Sequence, residues 1–225
     1  RIRTPNIDRL AAEGIRFTDH YAGSTVCAPS RCVLMTGLHT GHARIRGNSP
    51  GLMKPEDVTV AELLKQAGYA TGCIGKWGVG HPPPPGDPAG NGFDYFFGYL
   101  NMRHAHNFYP EFLFRNSDRV PLPGNKVARP REDGAGMAVE RGQYAHDLIA
   151  EEAIAFVQRN RERPFFLYFS SQDIHVPRTP HPRFQGASEL GYRGDAMVQL
   201  DWSTGEILNM LDEFELADNT IVVFS

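Results

Sequence analysis

Cysteine is scarce in this chain: three in 225 residues cannot build a disulfide framework, so the fold has to rest on a buried core. Positive charge is not in excess either. Lysine and arginine number 23 against 26 acidic residues, a formal net charge of -3 that offers no basic stripe to a nucleic-acid backbone. No nucleic-acid partner is expected. Apolar runs stay far short of the roughly 20 residues that span a bilayer, so no membrane span is expected. No charged-then-apolar leader opens the sequence as given, and cysteine usage leaves the compartment open. What the chain does have is 41% hydrophobic residues with 22% charged, ordinary for one folded domain and enough for a core.

Helical and strand patterns alternate. Thr4 and Pro5, then Ile7, Leu10 and Ala11, then Gly14, give a cap, a first-turn proline, helical spacing and a stop, with a strand expected over 15–22. Thr59 with Glu62 forms a capping box ahead of Leu63, Leu64 and Ala67, and Gly68 ends that helix before a strand at 69–75. Leu148, Ile149, Ala153, Phe156 and Val157 repeat at helical spacing and lead into the apolar run 165–170. A longer helix carries Met197, Leu200, Thr204, Ile207, Leu208 and Leu211, and a strand is expected over 220–224. Continuously apolar strands that alternate with helices predict a doubly wound α/β fold, with a largely parallel sheet and helices on both faces. One domain over 1–225 is expected, incomplete at both ends because the chain starts at Arg1 and stops at a strand. Residues 80–141, with Pro82 to Pro85 and many glycines, read as a long loop-rich excursion.

Cys27, Ala28, Pro29, Ser30 and Arg31, followed by Thr36 and Gly37, place a thiol just ahead of a short helix expected over 30–36. A buried apolar cysteine is one reading. A thiolate activated by the helix end and Arg31 is a second. Neither accounts for Pro29, Ser30 and Arg31 together.

Those five residues resemble the signature of the type I, formylglycine-dependent sulfatases of the alkaline-phosphatase-like superfamily. Other stretches are similar to that family in the same order: 4–17, the second signature at 68–77 with Lys76, the His-x-Pro loop with His175 and Pro177, and 216–224. The resemblance implies that a formylglycine-generating enzyme oxidises Cys27, and that one hydroxyl of the hydrated aldehyde attacks the sulfur of a sulfate ester. The second hydroxyl then loses a proton and expels sulfate. It implies that Arg31 and Lys76 hold the sulfate, and that His175 binds it or protonates the departing alcohol. Calcium is implied as cofactor, with formylglycine 27 among its ligands and aspartate and asparagine ligands expected outside the chain. The 225 residues alone are therefore expected to be inactive. Gly78 stands where many relatives have a histidine; His81 is near in sequence, but four prolines follow it and it is not expected to take that place. Arg103, His104 and His106 are candidate substrate contacts, since a sugar needs polar groups beyond the sulfate pocket.

The resemblance points to a sulfuric ester hydrolase acting on sulfated carbohydrate, in an exported, extracytoplasmic bacterial parent. Two alternatives stay open: a phosphonate or phosphate ester hydrolase of the same superfamily, and a non-catalytic anion-binding relative in which Cys27 stays a thiol.

Overall fold

A computed structural model describes residues 2–48, 51–80 and 86–225. His81 and residues 82–85 lie outside the described residues. The chain divides into two compact units, a larger one at 22–171 and a smaller one made of residues 2–21 with 172–225.

In the smaller unit, α1 (Pro5–Glu13) has its proline at the first helical position, as its sequence predicts. It packs along the long helix at the end of the chain, where the Asp201 carboxylate accepts the Asn6 and Ile7 amides at 3.0 and 2.9 Å. Those are first-turn amides with no partner inside their own helix, so the carboxylate serves as the cap that Thr4 does not provide. Residues 15–22 and 220–224 do not form the expected strands. No described strand pairs with them, and Ile15, Phe17, Ile221 and Val223 stand 75–92% exposed. A strand without a ladder partner is not a stable state, whatever its side chains prefer.

In the larger unit, α2 (Cys27–Thr36) and α3 (Val60–Gln66) precede β1 (Ala70–Lys76). The capping box forms as expected: the Glu62 amide donates to Thr59 Oγ1 and the Thr59 amide to Glu62 Oε2. Next come β2 (Tyr95–Tyr99), β3 (Phe112–Arg115), β4 (Asp118–Pro121), β5 (Lys126–Val127) and β6 (Ala138–Glu140). The helix α4 (Ala145–Asn160) and β7 (Phe165–Ser170) close the unit, and α5 (Gly191–Glu213) belongs to the smaller one. The main sheet has the order β4-β3-β2-β1-β7, with β2, β1 and β7 parallel and β3 and β4 antiparallel at one edge. The stretch 80–141 is therefore more than an excursion: three of its strands extend the sheet.

Alternation along the strands decides which helix covers which face. Gly72, Tyr95 and Phe169 face α4, where Phe156 lies over Gly72 and stacks on Tyr95 at 6.2 Å, and His146 meets Phe169. Cys73, Phe96, Phe166 and Tyr168 face the other way, into a core shared with Ala28, Cys32 and Met35 of α2 and Ala61 of α3. Helices on both faces of a mostly parallel sheet make the larger unit doubly wound, as expected.

Candidate active site

Open parallel sheets collect ligands beyond the carboxyl ends of their strands. Those ends are tightly drawn here. Gly75, Gly98 and Ser170 are neighbours in register, and a Cβ at Gly75 (φ +110°) would strike the Ser170 backbone. Only glycine combines that backbone conformation with so close an approach.

Above this row starts α2. It begins at Cys27, three residues earlier than the sequence suggests, so Cys27 occupies the first helical position and Pro29 the third. A proline anywhere in a first turn forfeits no intrahelical bond, which is why its position does not fix the boundary. Gly37 ends the helix in the left-handed conformation, φ +67°, with its amide on the Val33 carbonyl. The Ala28 amide is capped by Asn48 Oδ1 at 3.1 Å.

One turn into α2, Arg31 crosses to the strand ends. Its Nη1 donates to the Lys76 carbonyl at 2.5 Å, to the Tyr168 hydroxyl at 3.0 Å and to Ser170 Oγ at 2.5 Å. Its Nε and Nη2 make no hydrogen bond among the described residues and remain as donors. Lys76, the last residue of β1, is 2% exposed, and its Nζ has no hydrogen-bond partner among the described residues. Burial is the main cause that pushes its pKa down; the Arg31 charge adds to this, and the Cys27 sulfur opposes it. That sulfur stands close enough to the ammonium to act on its titration. Cys27, Arg31 and Lys76 thus come together, while Cys27, Cys32 and Cys73 form no disulfide. A buried ammonium with nothing to neutralise it, beside a half-used guanidinium, is a place for an oxyanion.

Gly78 (φ +77°) adjoins both cations: a Cβ there would lie 3.3 Å from Arg31 Cδ and from Lys76 Cε. Gly78 and Ala28 also line a cavity of about 730 Å³, together with Met102, Arg103, Arg119 and Glu132. Of the three candidate substrate contacts, Arg103 reaches this cavity. His106 is exposed and is not among its lining residues. His104 is fully buried, with Nε2 donating to the Phe112 carbonyl at 2.9 Å and its ring against Tyr99 and Phe112. Burial pushes its pKa down to about 4, so it is a neutral core residue and not a substrate contact.

His175 belongs to the smaller unit, in a turn where its amide donates to the Gln172 carbonyl and its carbonyl accepts from Arg178. Its Nδ1 is 2.8 Å from the Val176 carbonyl, and a carbonyl can only accept, so Nδ1 carries a proton. Sequence reasoning missed Tyr168, Ser170 and Asn48. The first two are alternate residues on one strand face, a signal that could have been read; nothing marks Asn48.

A cationic pocket at the strand ends of a mostly parallel α/β sheet defines a class of protein that handles oxyanions. The Sulfatase family model matches residues 1–225. The chain is 37% identical to an N-acetylgalactosamine-6-O-sulfatase of Bacteroides thetaiotaomicron, covering 100% of this chain and 54% of that protein. It is 33% identical to the human N-acetylgalactosamine-6-sulfatase, covering 99% and 44%. A solved structure from work on the metabolism of multiple glycosaminoglycans by Bacteroides thetaiotaomicron superposes with TM-score 0.80 at 34% identity, over 97% of this chain and 56% of that one. The chain belongs to the sulfatase family. It spans about half the length of the curated relatives it matches.

Proposed function

We propose that the intact protein is a sulfuric ester hydrolase acting on sulfated carbohydrate, with Cys27 converted to formylglycine by a separate generating enzyme. One observation carries this reading: beside Cys27, a buried ammonium lies next to a guanidinium, and among the described residues the ammonium has no hydrogen-bond partner and the guanidinium keeps Nε and Nη2 uncommitted. Formylglycine, once hydrated, supplies the hydroxyl that attacks sulfur. Lys76 neutralises a sulfate oxygen as charge gathers there, and Arg31 offers Nε and Nη2 to others. His175 Nε2 delivers a proton to the departing alcohol oxygen, a step that matters when that alcohol is a sugar. Arg103 meets the sugar in the cavity beyond Gly78. Two relatives named for N-acetylgalactosamine 6-sulfate direct the choice of substrate toward a 6-O-sulfated amino sugar.

Calcium does not fit the described residues. No group of three or more His, Cys, Asp or Glu side chains converges among them, and the cation would need about six to eight oxygen ligands. No step is routed through a metal.

No helix among the described residues is long and apolar enough to cross a membrane, and the bacterial relative supports an extracytoplasmic site of action. The test is to produce the full-length protein with a formylglycine-generating enzyme, weigh the Cys27 peptide, and assay matched sulfate and phosphate esters. A peptide about 18 Da lighter than the cysteine form, with turnover confined to sulfate esters, is expected. An unchanged mass in active protein, or preference for the phosphate ester, would overturn the proposal.

A further inference from the structure

The loop that carries His175 is held at both ends by one side chain of α5. Gln199 is fully buried, and both ends of its amide are used. Its Nε2 donates in a very short bond to Asp173 Oδ1, two residues before His175. Its Oε1 accepts the His181 amide at 2.8 Å, six residues after it. Because one end must donate to a carboxylate and the other must accept from an N–H, the amide cannot flip. Asp173 is itself 1% exposed, and its second oxygen lies 3.2 Å from Ser203 Oγ, so the carboxylate is fixed from two turns of the same helix. Between the two anchored points the chain makes two turns, the His175 amide on the Gln172 carbonyl and the Arg178 amide on the His175 carbonyl. Ile174, Val176 and Pro177 are exposed.

We infer that Gln199 is a positioning residue for His175, fixing the loop so that Nε2 is presented to the leaving-group oxygen. This rests on the role proposed for His175. A clamp of this kind acts only through the histidine, and that separates it from a side chain that merely stabilises the smaller unit. Its loss weakens proton delivery, which a sugar alcohol needs and an activated aryl alcohol does not. A displacement of an acid by about 1 Å is enough to lower a rate by about 10²-fold.

The experiment uses the full-length, formylglycine-bearing protein and four forms: wild type, His175→Ala, Gln199→Met and the double variant. Methionine is close to glutamine in volume and removes both hydrogen bonds, and Gln199→Leu, which also removes both, serves as the second variant if the first does not fold. Turnover is measured on a sugar 6-sulfate and on an activated aryl sulfate. Gln199→Met is expected to lower the rate on the sugar sulfate by at least about 10-fold more than on the aryl sulfate. On the sugar sulfate the double variant should be no slower than His175→Ala within about 2-fold, because two residues acting through one group are not additive. Equal losses on both substrates, or additive losses in the double variant, would overturn the inference while His175 kept its role. Unchanged rates in His175→Ala itself would remove the role on which the inference stands.

Discussion

Replacing Lys76 by methionine should make the protein more stable and nearly inactive. The ammonium is 2% exposed, has no hydrogen-bond partner among the described residues and has the Arg31 charge as a neighbour, so the fold bears the cost of a buried charge there. Exchanging buried charge for a well-packed apolar residue of similar length is often neutral or stabilising by about 1–4 kcal/mol. At about 2–4 °C per kcal/mol for a unit of this size, a rise in Tm of at least about 2 °C is expected in anion-free buffer. Because the folded-state pKa of Lys76 lies below 10.5, the folded protein bears the penalty in full below that pKa. The advantage of methionine is therefore greatest there and shrinks as pH rises toward 10.5, where the unfolded lysine also loses its proton. Turnover on a sulfate ester should fall by at least about 10²-fold, about 2.7 kcal/mol of transition-state stabilisation. Calorimetric unfolding of both proteins, with and without inorganic sulfate, checks all of this: sulfate should stabilise wild type and leave the variant unmoved. A lower Tm together with retained turnover would refute the idea that Lys76 is held ready for an anion.

Arg31→Ala should lower turnover by at least about 10²-fold, and Arg31→Lys should recover little of it, because a point charge cannot replace a planar fork; near-normal initial rates would count against the pocket. His175→Ala should cost more on sugar sulfates than on activated aryl sulfates, and an equal loss across leaving groups would assign the residue to sulfate binding instead. His104→Gln tests the buried ring. With a folded-state pKa of about 4 against 6.5, His104 contributes stability that is present above 6.5 and lost as pH falls toward 4. The variant should be less stable at neutral pH yet lose less between those values, which urea midpoints at several pH values measure; parallel slopes would show that His104 is not the group that titrates.

Much of the larger unit was legible because its signals are local. The Thr59 and Glu62 capping box, the Gly37 stop and the apolar run of β7 each need only their neighbours in sequence. The strands expected at 15–22 and 220–224 were not legible, since β propensity says nothing about whether a ladder partner is at hand. The same limit hid β2, β3 and β4, where a proline- and glycine-rich start masked short strands that join the sheet by non-local pairing. In the site, Cys27, Arg31 and Lys76 were found through a sequence signature. His104 was misread because a histidine in a polar-looking stretch gives no sign that Tyr99, Phe112 and Phe114 will close over it.

Arg31 is bound to the carbonyl of Lys76 and to two hydroxyls of β7 before any anion arrives. A guanidinium so tethered does not swing aside when the reaction ends. Free sulfate bears two negative charges where the ester bears one, so a fixed cationic pocket attracts the product more strongly than the substrate. With the activity proposed above, the intact protein should therefore be inhibited competitively by inorganic sulfate. In sulfate-rich surroundings such an enzyme would run well below its capacity, at a level set by the salt around it and not by the supply of sugar.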